Sequence, residues 1–414
     1  MFKRSLEFYR SIRAKDTRAM YYVLVFSSDF LIGLVATVYS LYLLHHGLDL
    51  FQVNLVNTVF MLSSVIFEIP TGAYADYAGR KKAVLLSFMC LPIGFGIYFF
   101  SSNIGWFMFA ELWTAFSMAC LSGALDAWMV DKLHHQGYGN KTDLVFSHGG
   151  MASGLALLLG GFIGAQLANI QLGLPFGIGA LLALLTFALA RWGMIEAKIQ
   201  VQHSQFHLVN GIKRMRSVLQ QSIKYGIKHP VVIWLLLATV IANLAFQPLN
   251  MYWAPRIAQL TNQQVWLLGY VWAGVSISLM LGAYLAKRFT KLTISYRWLF
   301  VIATLLSAIP IITIASTSVV STLVTGFLIY EIGRGLMAPL QKSYLNQYIP
   351  SSERATLLSF DSLMSKLGAG IGLLVFGWIA KQYSISLTWL IAGMVLLLLI
   401  PLYSYAVSKA QKFY

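Results

Sequence analysis

Long apolar runs are the feature that most constrains what this chain can fold into. Twelve stretches of mostly apolar residues follow one another between residues 19 and 408. A helix needs about 20 such residues to cross the hydrocarbon core of a bilayer. We place the spans at about 19–44, 51–75, 82–101, 104–131, 143–167, 174–195, 230–254, 264–287, 297–317, 320–347, 355–380 and 386–408. Because the runs lack the alternation of barrel strands, they predict an all-α membrane protein with twelve transmembrane helices.

The distribution of charge supports the lipid bilayer as the solvent of this chain. Only 11% of its residues are charged, against about 25% in a soluble domain. The formal charge of +16 does not indicate nucleic-acid binding, because Lys and Arg lie in short segments between the apolar runs. With the N-terminus inside, almost all of them fall on one side, and the other side keeps Arg256 and Lys381. The positive-inside rule then predicts a multi-pass protein of the cell inner (plasma) membrane with both termini cytoplasmic.

A polar segment, residues 196–229, divides the spans into six and six. Apolar residues recur in it at helical spacing between basic ones, which predicts an amphipathic helix on the cytoplasmic headgroups; a disordered linker is the alternative. We therefore expect bundles at 1–195 and 230–414. The basic N-terminus lacks a small-residue cleavage site at signal-peptide distance, so the first helix is expected to be retained.

Several classes of protein are disfavoured by what the spans contain. Cys90 and Cys120 lie inside apolar runs, without the spacing of metal ligands. The spans show no nucleophile–base pair, and the chain has no P-loop, so neither an enzyme nor an ATP-driven pump is indicated. We expect no cofactor and no metal, and a monomer.

Echoes between the two sets of six spans predict an internal repeat. "GAYADYAGRKK" ends span 2, and "GAYLAKRFTK", from Gly282, ends span 8. In spans 5 and 11, "KTDLVFSHGGM" aligns with "RATLLSFDSLM". That register pairs Gly164 with Gly377, and His148 with Asp361. Such matches are typical of transporters built from duplicated halves.

The segment between spans 2 and 3 carries the pattern G-x-x-x-D-x-x-G-R-K-x, at Gly72, Asp76, Gly79, Arg80 and Lys81. Together with six plus six spans and a basic central segment, it resembles the major facilitator superfamily. The resemblance covers the whole chain in architecture. It implies two pseudo-symmetric six-helix bundles and transport of a small-molecule substrate by alternating access. In the family a similar acid on span 4 completes a latch of the outward-facing state, and Asp131 matches it.

Each residue of this motif also has a physical rationale. Gly72 permits close approach of span 2 to a neighbouring helix. Asp76 could cap backbone N–H groups where a new helix begins. Gly79 allows a tight reversal. Arg80 offers a planar fork that can pair with both Asp76 and Asp131.

Ionisable residues inside spans are costly and are therefore functional candidates. Asp29, in the middle of span 1, is predicted to bind substrate or proton, or to be a structural acid. Glu331 and Arg334 of span 10 form either a mutually neutralising pair or a pair broken during transport. The other candidates are Glu111 and Asp126 on span 4, Asp361 and Lys366 on span 11, Glu68 in the latch or inner gate, and the cavity aromatics Phe30, Trp113 and Tyr330.

A transporter without a nucleotide site must use an ion gradient or exchange, and a buried Asp29 or Glu331 could load and release protons. Exporters of the family usually carry G-x-x-x-G-P-x-x-G-G in span 5. Here "ALLLGGFIGA" keeps Gly160 and Gly164 but has Gly161 at the proline position. We expect proton-coupled efflux of a drug or metabolite. The alternatives are proton-coupled uptake of a small solute or siderophore-like molecule, and a non-transporting sensor or scaffold.

Overall fold

The computed structural model describes residues 2–138, 142–196, 229–292, 294–349 and 354–413, and within these ranges it is helical with no strand. Twelve apolar helical stretches are long enough to cross a membrane, which confirms the predicted number. Spans 1–6 are Asp16–Ala36, Leu50–Ala78, Arg80–Phe100, Ile104–His135, Thr142–Ile170 and Leu174–Gly193. Spans 7–12 are Val231–Leu260, Trp266–Phe289, Tyr296–Ile314, Val320–Gln347, Leu357–Gln382 and Ile385–Ala410.

Some helices differ from the spans they carry. Span 1 belongs to the helix Phe2–Ala36, and the short helix Tyr39–His45 follows it. Span 4 consists of Ile104–Leu121 and Ala124–His135, separated at Gly123, whose φ of 71° is left-handed. The remaining differences are the helices Pro230–Leu260 for span 7, Arg354–Gln382 for span 11, and Ile385–Leu397 with Leu399–Phe413 for span 12.

The described residues form two compact units, 2–39 with 63–196 and 40–62 with 229–413. The second unit therefore includes the start of span 2, unlike the expected bundle 1–195. Two contacts hold it there. Lys381 Nζ lies 2.9 Å from Asp49 Oδ2, and Asn54 Nδ2 donates to Leu373 O at 2.8 Å. Residues 197–228 of the expected amphipathic segment lie outside the described residues.

Asp49 precedes the first residue of span 2, and its ionisation is linked to this contact. Partial burial opposes the charge on its carboxylate. The hydrogen bond from Lys381 and those from the backbone N–H groups of Gln52 and Phe51 outweigh that effect, so the pKa of Asp49 is lowered from its usual value.

The same helix pairings recur in both units, as expected for duplicated halves. In the first unit span 1 packs on span 5, and span 3 packs on spans 4 and 6. In the second unit span 7 packs on span 11, and span 9 packs on spans 10 and 12. Small residues allow this because they let the backbones of membrane helices approach closely.

Glycines on spans 5 and 11 fix the register of the repeat. A Cβ on Gly164 would lie 2.0 Å from Leu34 O of span 1. On Gly372 a Cβ would lie 2.4 Å from Leu244 O of span 7. Gly164 is thus equivalent to Gly372, and the sequence register, which paired Gly164 with Gly377 and His148 with Asp361, is wrong by five residues. The predicted register was chosen by matching residue types, whereas the close contact between helix backbones determines the actual register.

Candidate functional site

The second unit contains a cavity of about 370 Å³, with polar and apolar lining residues, between spans 7, 8, 10 and 11. This volume is at the lower end of the range for small-molecule sites. Its lining residues are Thr239, Ala242, Asn243, Phe246, Leu279, Arg334, Gly335, Met337, Ala338, Gln341, Lys342, Asp361 and Ser365. Of the predicted candidates, Asp361 and Arg334 are therefore brought to one cavity.

Asp361 ends a chain of hydrogen-bond donors. Tyr403 Oη donates to Gln341 Oε1 at 3.0 Å, and Gln341 Nε2 donates to Thr239 Oγ1. Thr239 Oγ1 then donates to Asp361 Oδ1 at 2.7 Å. Lys342 supplies a positive charge that acts on the same carboxylate. This series of hydrogen bonds positions Asp361, which also lines the cavity.

Glu331 and Arg334 form the predicted i,i+3 ion pair. Arg334 Nε and Nη2 both lie 2.8 Å from Glu331 Oε2. Arg334 Nη1 donates to Asn250 Oδ1 at 3.0 Å. The Glu331 side chain is only 1% exposed, whereas Arg334 reaches the cavity. Glu331 thus neutralises Arg334 from inside the wall.

A polar stripe on span 7 was missed by the sequence reasoning, which weighed only ionisable groups. Thr239, Asn243 and Gln247 recur every four residues, and this spacing puts them on one helix face. The Asn243 amide donates to Thr239 O at 2.9 Å, and the Gln247 amide donates to Asn243 O at 3.3 Å. The uncharged amide side chains spaced four residues apart on span 7 were the sequence signal that could have revealed this polar helix face.

The aromatic wall of the cavity also differs from expectation. Phe246 lines it. Tyr330 packs edge-on behind Phe246, at 6.0 Å between ring centroids, and is fully buried. Tyr330 therefore does not line this cavity, contrary to the expectation. In the first unit Phe30 stacks on Phe26, and Trp113 packs edge-on between aromatic neighbours.

The first unit holds two buried acid sites. Asp29 of span 1 is half-buried, and Ser153 of span 5 acts on its carboxylate. Glu111 of span 4 is 4% exposed. It accepts hydrogen bonds from Tyr39 Oη at 2.7 Å and from Tyr98 Oη at 2.5 Å. Neither tyrosine was foreseen, because both come from other helices.

The remaining candidates lie elsewhere. Asp126 is exposed at the start of the second helix of span 4 and accepts a hydrogen bond from Tyr21 Oη at 2.7 Å. Lys366 is half-buried on span 11 and does not line the cavity. Glu68 is exposed, two turns before Asp76 on span 2.

The charged part of the motif assembles as predicted. Arg80 Nη1 lies 2.6 Å from Asp76 Oδ1, and Arg80 Nε lies 4.0 Å from Asp131 Oδ2. The three side chains join span 2, span 3 and span 4. The predicted pairing of Arg80 with both acids is confirmed.

Two other expectations for the motif are wrong. Asp76 lies inside the helix Leu50–Ala78 and does not cap the next helix; Glu196 Oε1 instead accepts from Lys81 N at 3.3 Å. A Cβ on Gly72 would meet no described atom within 4 Å, so no close helix contact occurs there. Its counterpart Gly282 does pack closely, because a Cβ there would lie 2.2 Å from Ile332 O. The reversal at Gly79 has a φ of 104°, which glycine tolerates without strain.

Comparison with known proteins gives a consistent family. The profile of the Major Facilitator Superfamily matches residues 21–294 and again residues 235–412. The chain is 23% identical over 394 residues to the uncharacterized MFS-type transporter YxaM of Bacillus subtilis (strain 168), which covers 90% of this chain and 91% of that protein.

Solved structures agree in fold. The crystal structure of the nucleoside transporter NupG has a TM-score of 0.77 and 14% identity, over 94% of this chain and 99% of that chain. A bacterial homolog of the human lysosomal transporter Spinster has a TM-score of 0.67 and 14% identity, over 97% of this chain and 96% of that chain. The chain therefore belongs to the Major Facilitator Superfamily and is a multi-pass membrane transporter of that type.

Proposed function

We propose that this protein exports a small polar solute in exchange for protons, and that the cavity at Asp361 binds the solute. The observation that carries the proposal is the position of Asp361, an acid in the wall of a cavity inside a membrane bundle. An ionisable residue at such a place is a functional site by default. Since one chain supplies the whole lining, a monomer suffices.

The small size of the cavity and the polar groups in its wall support a small polar solute rather than a bulky drug. Its volume of about 370 Å³ is near the lower limit for small-molecule sites. Asn243 contributes an amide and Ser365 a hydroxyl to the cavity wall, and Phe246 offers one flat apolar surface. These groups suit a solute with several hydrogen-bonding atoms and one planar face.

The charges around the cavity are balanced, which favours a solute without net charge. Glu331 neutralises Arg334, and Lys342 acts on Asp361. In a medium of low dielectric constant, an added uncompensated charge would be costly. A neutral or zwitterionic solute avoids that cost and can still place a donor group on Asp361.

Exchange follows from competition at one carboxylate. A proton on Asp361 and a donor group of the solute would use the same oxygen atoms, so each displaces the other. Where protons move inward down their gradient, such competition drives the solute outward. The positive-inside pattern supports an inner-membrane location with both termini cytoplasmic.

The Asp76–Arg80–Asp131 cluster is proposed to govern access rather than binding. It ties three helices of the first unit together, and none of its members lines the cavity. Asp76→Asn should therefore impair transport and leave the affinity for the solute unchanged.

Uptake by proton symport is the second candidate, and Glu111 favours it. This acid is buried under two tyrosine hydroxyls and is no part of the cavity lining. A proton carried there would not compete with solute at Asp361, so both could move in the same direction.

The test uses liposomes that contain the purified protein and a trapped pH indicator. Small polar solutes are added one by one, including nucleosides, the solutes named for the structural relative. Exchange predicts that a transported solute drives protons out of the compartment it enters, and symport predicts the opposite.

Variants assign the acid in the same assay. Asp361→Asn should abolish the proton signal in exchange, and Glu111→Gln should abolish it in symport. Asp143→Asn, an exposed acid in the first turn of span 5, is the matched control. Proton movement that survives Asp361→Asn with its direction unchanged would refute the proposal.

A further inference from the structure

In the second unit, a hydroxyl and an acid face each other between spans 7 and 11. Thr239 of span 7 donates to Asp361 of span 11 at 2.7 Å. Further along the same pair, Gly368 and Gly372 lie against the backbone. Their Cβ positions would be 2.4 Å from Val240 O and 2.4 Å from Leu244 O respectively.

The first unit repeats this arrangement on spans 1 and 5. Ser153 of span 5 acts on the carboxylate of Asp29 of span 1. Gly160 and Gly164 of span 5 again lie against the partner backbone. Their Cβ positions would be 2.4 Å from Phe30 O and 2.0 Å from Leu34 O.

The register of the two pairs is identical. Asp29 directly precedes Phe30, as Thr239 directly precedes Val240. Ser153 and Asp361 lie at the same distance along the chain before their respective glycines, Gly160 and Gly368. Asp29 is therefore the counterpart of Thr239, and Ser153 is the counterpart of Asp361. The same pairing of an acid with a hydroxyl residue occurs in both units, with the acid and the hydroxyl exchanged between the helices.

We propose that Asp29 and Ser153 form a second proton-binding site, the structural counterpart of the Asp361 site. The inference rests on the proposed function, because that proposal gives Asp361 its role as a proton acceptor. Each half of the transporter then carries one titratable acid at the same place in its fold.

The chemistry of the pair suits a site that changes its protonation state. A hydroxyl donates to a carboxylate and accepts from a protonated carboxylic acid, so Ser153 can satisfy Asp29 in both states. No lysine or arginine of the described residues forms an ion pair with Asp29. A bound proton would neutralise it.

The titratable groups around the two acids differ. Around Asp29 they are Tyr21 of span 1, which interacts with it electrostatically, and Asp126 of span 4, which accepts from that tyrosine. Around Asp361 they are Lys342 of span 10 and Tyr403 of span 12. The two sites should therefore titrate separately.

Infrared difference spectroscopy tests this inference with protons as the only ligand. The purified protein, reconstituted in lipid, is titrated while the C=O band of protonated carboxyl groups is recorded. Asp29→Asn should remove one titrating component and Asp361→Asn another. Ser153→Ala should shift the frequency of the Asp29 component, because the protonated carboxyl group loses its hydroxyl neighbour. Asp143→Asn, outside both pairs, should change neither component.

Because the acid and the hydroxyl are exchanged between the helices in the two units, a stricter test is possible. It does not depend on the loss of a band in a single variant. The double variant Asp29→Ser with Ser153→Asp returns a carboxyl group to the same gap from the opposite helix. It should restore the component that Asp29→Asn removes. If a variant elutes as aggregate, the double variant still decides, because it retains the charge and the hydroxyl.

The two proposals fail in different ways. If the titrating carboxyl bands are the same in Asp29→Asn and wild type, the second site is refuted, whatever the liposome assay shows. If the double variant folds and restores no component, the structural equivalence is refuted. Loss of solute-driven proton movement with both components present would refute the transport mechanism and leave the second site standing.

Discussion

Three glycines on span 11 give a prediction with a built-in control. Gly368 and Gly372 lie against span 7, and a Cβ on either would be 2.4 Å from a backbone oxygen. Gly370 lies between them in sequence, and a Cβ there would meet nothing within 4 Å. Each of the three alanine substitutions adds one methyl group to the same helix. At Gly368 and Gly372 that group meets the backbone of span 7, and at Gly370 it meets open space.

The magnitude follows from two terms. Alanine in place of glycine favours a helix by about 1 kcal/mol, and this gain is common to all three variants. A Cβ at Gly372 must retreat by at least 0.6 Å, from 2.4 Å to an acceptable 3.0 Å, and a backbone oxygen cannot swing aside. Spans 7 and 11 must therefore separate, at an overpacking cost of about 1–3 kcal/mol.

The difference between Gly372→Ala and Gly370→Ala isolates that second term. We expect Gly370→Ala to be as stable as wild type or more stable, and Gly372→Ala to be less stable than Gly370→Ala by about 1–3 kcal/mol. Separation of the helices would also lengthen the 2.7 Å bond from Thr239 to Asp361, so proton-coupled transport should fall in Gly372→Ala and not in Gly370→Ala.

The assay is thermal unfolding of the three variants in one detergent, followed by liposome proton flux. Equal stability of Gly370→Ala and Gly372→Ala would refute the reasoning, because it would show that spans 7 and 11 are not in backbone contact. Gly368→Ala should behave as Gly372→Ala does.

Three further perturbations have defined outcomes. Glu331→Gln leaves Arg334 as an unpaired charge in the cavity wall and should cost about 3–5 kcal/mol in unfolding stability; a double variant with Arg334→Gln that loses as much would contradict this. Gly79→Ala forces a side chain into a φ of 104°, at a cost of about 1–3 kcal/mol, measured as a lower unfolding temperature. Asp49→Asn should cost at most about 1 kcal/mol at neutral pH, because the ion pair with Lys381 is partly exposed. A carboxylate of lowered pKa stabilises the fold above its unfolded pKa and loses that effect as the pH falls through its folded pKa. The difference in unfolding temperature from wild type should therefore vanish well below about pH 4, and a difference that persists there would contradict the assignment.

Hydropathy predicted the spans well because a bilayer leaves few alternatives to a helix of fixed length. Span 10 was placed at its observed residues, Val320–Gln347. The ion pairs of Arg80 and Arg334 followed from helical spacing and the family motif. These features depend on local sequence.

The cavity could not be predicted in the same way because it depends on which helices become neighbours. Thr239 of span 7 bonds Asp361 of span 11 and Gln341 of span 10, all brought together from separate spans. The repeat register failed for a related reason. Similar residues in two segments can be aligned in several registers, whereas the close approach of Gly164 to Leu34 O is compatible with one register.

The division of span 2 has a consequence for how the two halves evolved and for how they can be separated. Residues 50–62 of this helix belong to the second unit, and residues 63–78 belong to the first. The boundary that the internal repeat predicts lies in the polar segment 196–229, so it differs from the boundary of packing. Two polypeptides produced by a cut in that segment would each be incomplete. The N-terminal polypeptide would carry residues 40–62 without the helices they pack against. The C-terminal polypeptide would lack this segment, in which Asp49 and Asn54 contact span 11.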